Sequence, residues 1–156
     1  FVKLIEIQSA ADMFEAVTAA AAEQDIIIKA AAVADYRPKS VGTEKTKKTD
    51  GDMAIELERT DDILKWLGAH RREAQFLCGF SMETQNMLEN SRVKLDKKNI
   101  DMIVANNLKV EGAGFGTDTN VVTIITRERN LELEKMTKEE VADRLLDEIL
   151  AVSADK

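Results

Sequence analysis

Residues 26–34 (IIIKAAAVA) read as one continuously apolar strand, and no other segment limits the fold so tightly. A strand of this pattern is buried on both faces, so its sheet must carry helices above and below. Helix patterns lie on either side of it in the chain. Ser9 begins a helix whose Asp12, three residues on, completes a capping box, and that helix runs to about residue 24. Thr60 caps a second helix through about residue 70, with Asp61 and Asp62 at its positive end. Residues 86–98 form a third helix. Thr137 and Glu140 make another capping box, opening a last helix whose apolar face is Val141, Leu145, Ile149 and Val152.

Further strands read at residues 2–7 (VKLIEI), 76–81, 101–105 (DMIVA) and 121–126 (VVTIIT). Residues 53–58 (MAIELE) alternate as a half-exposed strand does, and residues 112–116 (GAGFG) form a turn. Strands alternating with helices predict right-handed crossovers and a three-layer α/β domain, its mostly parallel sheet covered on both sides. The stretch 36–58 breaks the rhythm, because its two extended segments have no helix between them. It reads as an arm or hairpin outside the main sheet, within a single domain spanning 1–156.

A chain of 156 residues can bury a real core, and 44% hydrophobic with 33% charged residues is an ordinary globular balance. The net charge of −7 lacks the basic footprint of a nucleic-acid binder. Basic residues instead form two local clusters, at 45–48 and 94–98, which suits a small anionic ligand better than a polymer. The single cysteine, Cys78, excludes an internal disulfide framework and fits a reducing cytosol, so a cytoplasmic protein is expected. No window reaches the roughly 18 apolar residues of a membrane span, and residues 1–8 lack the sections of a signal peptide. Phe1 leads straight into strand-like sequence with no initiator Met, so a longer parent protein is expected.

Ligands of open α/β sheets sit beyond the carboxyl ends of the strands. Three such ends fall at 34–35, 80–83 and 105–107. Asp35 can accept hydrogen bonds from ribose hydroxyls or a base amino group, or it can simply form a turn. Lys45, Lys47 and Lys48 can meet a triphosphate through charge-assisted bonds, or they can be a solvated surface run. Lys94 and Lys98 lie four apart on one helix face, where like charges cost roughly 0.2–0.5 kcal/mol without an anion. They also end a helix, where cations complement its dipole, so spacing leaves both readings open. Cys78 reads as inert core, Trp66 and the methionines as core, and His70 as exposed. No cluster has metal-ligand spacing, and one histidine beside Arg71 and Arg72 makes no nucleophilic triad.

Taken together, AAVADYRP, EKTKK, GFSMET, KLDKKNIDMIVANN and GFGTDTNVVTII resemble the phosphopantothenate–cysteine ligase family, in order through essentially the whole chain. This is the synthetase half of the bifunctional bacterial protein of coenzyme A biosynthesis. The resemblance implies a Rossmann-like domain with an extra strand pair that forms a homodimer, which gives the 36–58 excursion a reason. It implies a ligase joining 4′-phosphopantothenate to cysteine with CTP, through an acyl-cytidylate. Lys45 matches the catalytic lysine of the family's KxKK loop. Asp35 matches a nucleotide-contacting carboxylate, with Ala31 beside the base and Phe80 lining the pocket. Lys94 and Lys98 match nucleotide-contacting lysines. Thr60, Asp61, Asp62 and Ile63 match a loop touching the nucleotide, although Arg59 and Asp61 stand where many members carry Asn and Pro. Mg²⁺ would accompany CTP, and FMN would belong only to a separate decarboxylase domain upstream.

The family's Gly/Ser-rich opening segment, which carries phosphate-binding groups, does not occur in this sequence. The resemblance therefore implies a ligase in the complete protein and an incomplete triphosphate cradle in this chain. A second possibility of another class is a non-catalytic nucleotide-binding and dimerisation fragment. A dinucleotide oxidoreductase fits worse, because GAGFG precedes a strand, whereas the fingerprint follows one and opens a helix.

Overall fold

Successive residues along the central strands point to opposite sides, and the fold follows from covering both. The computed structural model describes residues 1–42, 44–45, 51–83, 86–107 and 118–154. The helices are α1 (Ala10–Ala21), α2 (Ile63–His70), α3 (Met87–Lys98) and α4 (Lys138–Ala154). The strands are β1 (Ile26–Lys29), β2 (Tyr36–Pro38), β3 (Leu57–Arg59), β4 (Phe76–Glu83), β5 (Met102–Asn107), β6 (Thr119–Asn120), β7 (Val122–Ile125), β8 (Asn130–Glu132) and β9 (Met136–Thr137). A five-stranded sheet runs in the order β1-β4-β5-β7-β8. Leu77, Ile103, Ala105 and Ile125 face one side, where Ile63, Leu64, Leu67 and Leu95 of α2 and α3 meet them with α1 beyond. Phe76, Cys78, Met102, Val104, Val122 and Ile124 face the other, where Val141, Leu145 and Ile149 of α4 close the core. Each fully buried Leu or Ile contributes about 1.5–3 kcal/mol. Three layers result.

The capping boxes form as the sequence implies. The Asp12 N–H donates to Ser9 Oγ at 3.2 Å, while Asp12 Oδ2 accepts from the Ser9 N–H at 2.9 Å. Glu140 Oε2 accepts from the Thr137 N–H at 2.8 Å and starts α4 in the same way. The 36–58 excursion is confirmed as a separate antiparallel pair, with Tyr36 opposite Arg59 and Pro38 opposite Leu57.

Other expectations are corrected. The sheet is mixed: β1, β4 and β5 are parallel, whereas β5–β7 and β7–β8 pair antiparallel. Residues 2–7 make no strand, because no described strand offers them a ladder, and their side chains stay exposed. Of residues 26–34 only β1 enters the sheet, as an edge strand, with Ile26 40% and Ile28 37% exposed, so one face is open. The 53–58 strand shrinks to β3. The cap of α2 is Asp62, whose Oδ1 accepts from the Lys65 N–H at 3.1 Å, and not Thr60. Met53 and Met82 are exposed, and Trp66 is half-buried against Phe14. Strands β6, β8 and β9 went unanticipated. The GAGFG turn lies outside the described residues, as do Lys47 and Lys48. No described helix is long and apolar enough to cross a membrane.

One close approach locks α2 to α3. A Cβ on Gly68 would fall on the Lys98 carbonyl oxygen, and the Asn99 amide donates to the Gly68 carbonyl at 2.8 Å. Asn99 itself sits at φ 50°, turning the chain from α3 toward β5. Gly68→Ala is therefore expected to destabilise the fold by about 1–3 kcal/mol through overpacking. Urea unfolding at an unchanged slope would measure it.

Candidate functional site

The parallel strands β1, β4 and β5 present their carboxyl ends to one pole of the sheet, and a cavity of about 660 Å³ opens there. It is lined by Lys29 and Ala31 leaving β1, Phe80 and Ser81 of β4, and Asn106 of β5, with Leu145 of α4 as an apolar wall. The size suits a nucleotide-sized ligand. Ser81 Oγ and Asn106 Oδ1 are buried with no hydrogen-bond partner among the described residues. Buried polar atoms left unpaired cost free energy, so they mark where a ligand or water would be bound. Ala31 and Phe80, paired by the sequence resemblance, thus share one cavity.

Behind it stands a charged cluster. Lys98, at the end of α3, holds Asp62 at the start of α2, with Nζ 2.9 Å from Oδ2 and 3.1 Å from Oδ1. Lys29, the last residue of β1, donates from Nζ to the Ala31 carbonyl at 2.9 Å and is half-buried. Burial pushes the Lys29 ammonium below the ordinary lysine range, and nearby Lys98 pushes it further, while Asp62 and Asp35 pull the other way. Burial also pushes the Asp62 carboxyl up, but the Lys98 hydrogen bond, the Lys65 N–H and the positive charges of Lys98 and Lys29 outweigh it. Its net position is below the usual carboxylate range. Thr60 closes the arm's base: its hydroxyl donates to the Ala34 carbonyl at 2.5 Å and its N–H to the Asp35 carbonyl at 3.0 Å.

The remaining expected residues are spread more widely. Asp35, Lys45 and Asp61 are exposed, and Lys94 is half-buried on α3. Ile63 is fully buried in the core, so its side chain is unavailable to a ligand. Cys78 is buried, and desolvation reinforced by Asp101 pushes its thiol up to about 12, leaving it inert. His70 is exposed as expected, stacked on Trp66 at 4.1 Å between ring centroids. Lys29 escaped the sequence reading because an apolar run swallowed it, although a cation inside such a run was itself the signal. Ser81 carried no signal, since a lone Ser in a strand is commonplace.

Residues 1–152 match the family described as the DNA/pantothenate metabolism flavoprotein C-terminal domain. The Bacillus subtilis coenzyme A biosynthesis bifunctional protein CoaBC is 51% identical over 97% of this chain, which spans 37% of that protein. A cysteine/cysteine sulfinic acid decarboxylase from an unknown prokaryotic organism is 44% identical over 97% of the chain and 42% of its own length. The crystal structure of the C-terminal domain of a CoaBC protein superposes with TM-score 0.78 at 44% identity, covering 97% of this chain and 68% of that one. By sequence and by fold, the chain belongs to the DNA/pantothenate metabolism flavoprotein C-terminal domain family.

Proposed function

We propose that the chain is the nucleotide-binding part of a coenzyme A biosynthesis ligase, which joins 4′-phosphopantothenate to cysteine at the expense of CTP. The observation that carries this is the cavity shared by Ala31 and Phe80 at the strand ends, beside the Lys98–Asp62 pair. Kinship with CoaBC proteins supports it. In the proposed reaction a carboxylate oxygen of phosphopantothenate attacks the α-phosphorus of CTP and pyrophosphate leaves. The cysteine amine then attacks the acyl carbon, and CMP departs from the acyl-cytidylate.

The base would lie against Ala31 and Phe80, with Asp35 on the ribose or base. Lys98 and Lys94 would meet the phosphates from α3, and Thr60, Asp61, Asp62 and Ile63 would border the nucleotide through backbone and cap. Lys45 would neutralise charge developing on the phosphates in the transition state, an electrostatic role. Mg²⁺ would arrive on the nucleotide, because it is usually held by substrate phosphates and one or two carboxylates. Among the described residues no three His, Cys, Asp or Glu side chains form a cage for it. The β2–β3 arm would make a homodimer, since Met53 (68%), Ile55 (64%) and Leu57 (58%) expose apolar surface along it. A fragment that binds nucleotide and dimerises without chemistry is the weaker alternative. The cytoplasm is the proposed location.

Pyrophosphate release from CTP, phosphopantothenate and cysteine tests the reading, with the chain assayed alone and within a full-length bifunctional protein. Turnover absent in both would sink it. Lys45→Ala is expected to lower kcat by about 10²–10³-fold while leaving CTP affinity nearly unchanged. For the arm, Ile55→Asp with Leu57→Asp should weaken the dimer at least about tenfold in sedimentation equilibrium. A wild-type chain that sediments as a monomer throughout would remove the dimer proposal.

A further inference from the structure

Among the described residues, Lys29 is a charge that the reading above leaves without a role. It ends an edge strand, lines the cavity with Ala31 and Phe80, and is half-buried. On its other side stand Lys98 from α3, Asp62 from the start of α2, and Asp35 from the segment leaving β1. Two ammonium groups thus crowd one partly buried carboxylate and one exposed carboxylate. The amino end of α2 points its positive pole into the same place. The chain as a whole carries −7, whereas the described lining of the cavity holds two cations, Lys29 and Lys138 of α4, and no carboxylate. Lysine exposed elsewhere on the surface would avoid both the desolvation and the repulsion by Lys98.

We infer that Lys29 and Lys98 form a two-ammonium clamp for the phosphates of a nucleotide, with Asp62 holding Lys98 in place until the anion arrives. The inference deepens the nucleotide reading above and rests on it for the identity of the ligand. Lys29 already spends one of its three donors on the Ala31 carbonyl, which fixes its direction and leaves two for oxygens of the anion. The same bond ties the clamp to the residue proposed to lie beside the base. Phosphate bound here would replace the water that Lys29 has lost and offset its repulsion from Lys98.

A pH dependence follows, with a definite sign. In the free protein the Lys29 ammonium is disfavoured by burial first and by Lys98 second, against the pull of Asp62 and Asp35. A bound polyanion favours the ammonium, so binding takes up protons wherever free Lys29 is partly neutral, and affinity falls as pH rises toward the lysine range.

Calorimetry of this chain with CTP and Mg²⁺, and separately with inorganic tripolyphosphate, tests the clamp at about pH 7 and about pH 9.5 in buffers of different ionisation enthalpy. Wild type should bind both ligands and take up protons at the higher pH. Lys29→Met keeps the aliphatic stem but loses the charge. It should weaken both ligands by about tenfold to a hundredfold and abolish the proton uptake, with an unliganded melting temperature no lower than wild type. Lys29→Arg should restore most of the affinity.

Lys29→Met that binds like wild type would overturn the clamp and leave the nucleotide reading standing. Weakened binding with proton uptake intact, or a melting temperature that drops with it, would reduce Lys29 to a structural tie. Lys29-dependent binding of tripolyphosphate without any binding of CTP would sink the nucleotide reading and keep the clamp. A wild-type chain that binds neither ligand would overturn both.

Discussion

Asp101 holds this fold together at its base. Its carboxylate lies 2.7 Å from the Arg71 guanidinium, with both side chains almost completely buried, and accepts the Leu77 N–H at 2.8 Å. Arg71 also donates to the carbonyls of Asn99 and Gln75. One ion pair therefore ties the end of α2, the start of β4, the turn after α3 and the start of β5. Removing one partner of such a pair strands the other charge in a low dielectric, which costs about 3–5 kcal/mol. The consequence reaches the far pole. Helix α2 is eight residues and about 12 Å long, with the Arg71 anchor just beyond one end and the Asp62 cap just before the other. With Arg71 held below and Gly68 seated against Lys98, the start of α2 has little freedom. The placement of Asp62 against Lys98 is set from the other end of the molecule.

What could be read in advance depended on whether a signal was local. Capping boxes at Ser9 and Thr137 were legible because both partners lie within three residues of each other. The 36–58 excursion was legible because a missing helix interrupts the strand–helix alternation. The reversed direction of β7 was not, since strand direction is decided by which neighbour the loop can reach, and no residue inside VVTIIT encodes that. The edge position of β1 was also hidden, for an apolar run does not state which of its faces finds a cover. At the site, the resemblance named Ala31 and Phe80, which line one cavity, and Lys98, which pairs with Asp62 outside that lining. It named Ile63 within a loop touching the nucleotide, where the Ile63 side chain is buried in the core and only its backbone is left to border a ligand. It had nothing to say of Lys29.

The charges near the cavity also explain why Asp62, not Thr60, caps α2. An aspartate at this position accepts the Lys65 N–H and anchors Lys98 with the same carboxylate. Threonine can serve the helix but not the lysine. Freed from capping, Thr60 instead bonds back to Ala34 and Asp35, which closes the neck of the β2–β3 arm. Arm and site thus join at three consecutive residues, and a movement of the arm would be felt first by Asp62.

The two poles of the sheet hold cavities of similar size, about 620 and 660 Å³, and their chemistry separates them. At the Asp101 pole, Arg127 pairs with Asp96, Arg129 with Glu148 and Arg71 with Asp101, so cations there have carboxylates of their own. At the other pole, Ser81 and Asn106 carry buried oxygens unpartnered among the described residues, and Lys29 is crowded by Lys98. Polar groups satisfied by one another stabilise a fold, whereas polar groups left short of partners cost stability until something else meets them. This pole is also the one toward which the parallel strands run, and its cavity is lined by Ala31 and Phe80 of the residues that the family resemblance marks. Volume alone does not distinguish these cavities, but the unmet hydrogen bonds and surplus positive charge do. They support the binding proposed at the carboxyl ends of the strands, while the paired charges at the base brace the fold.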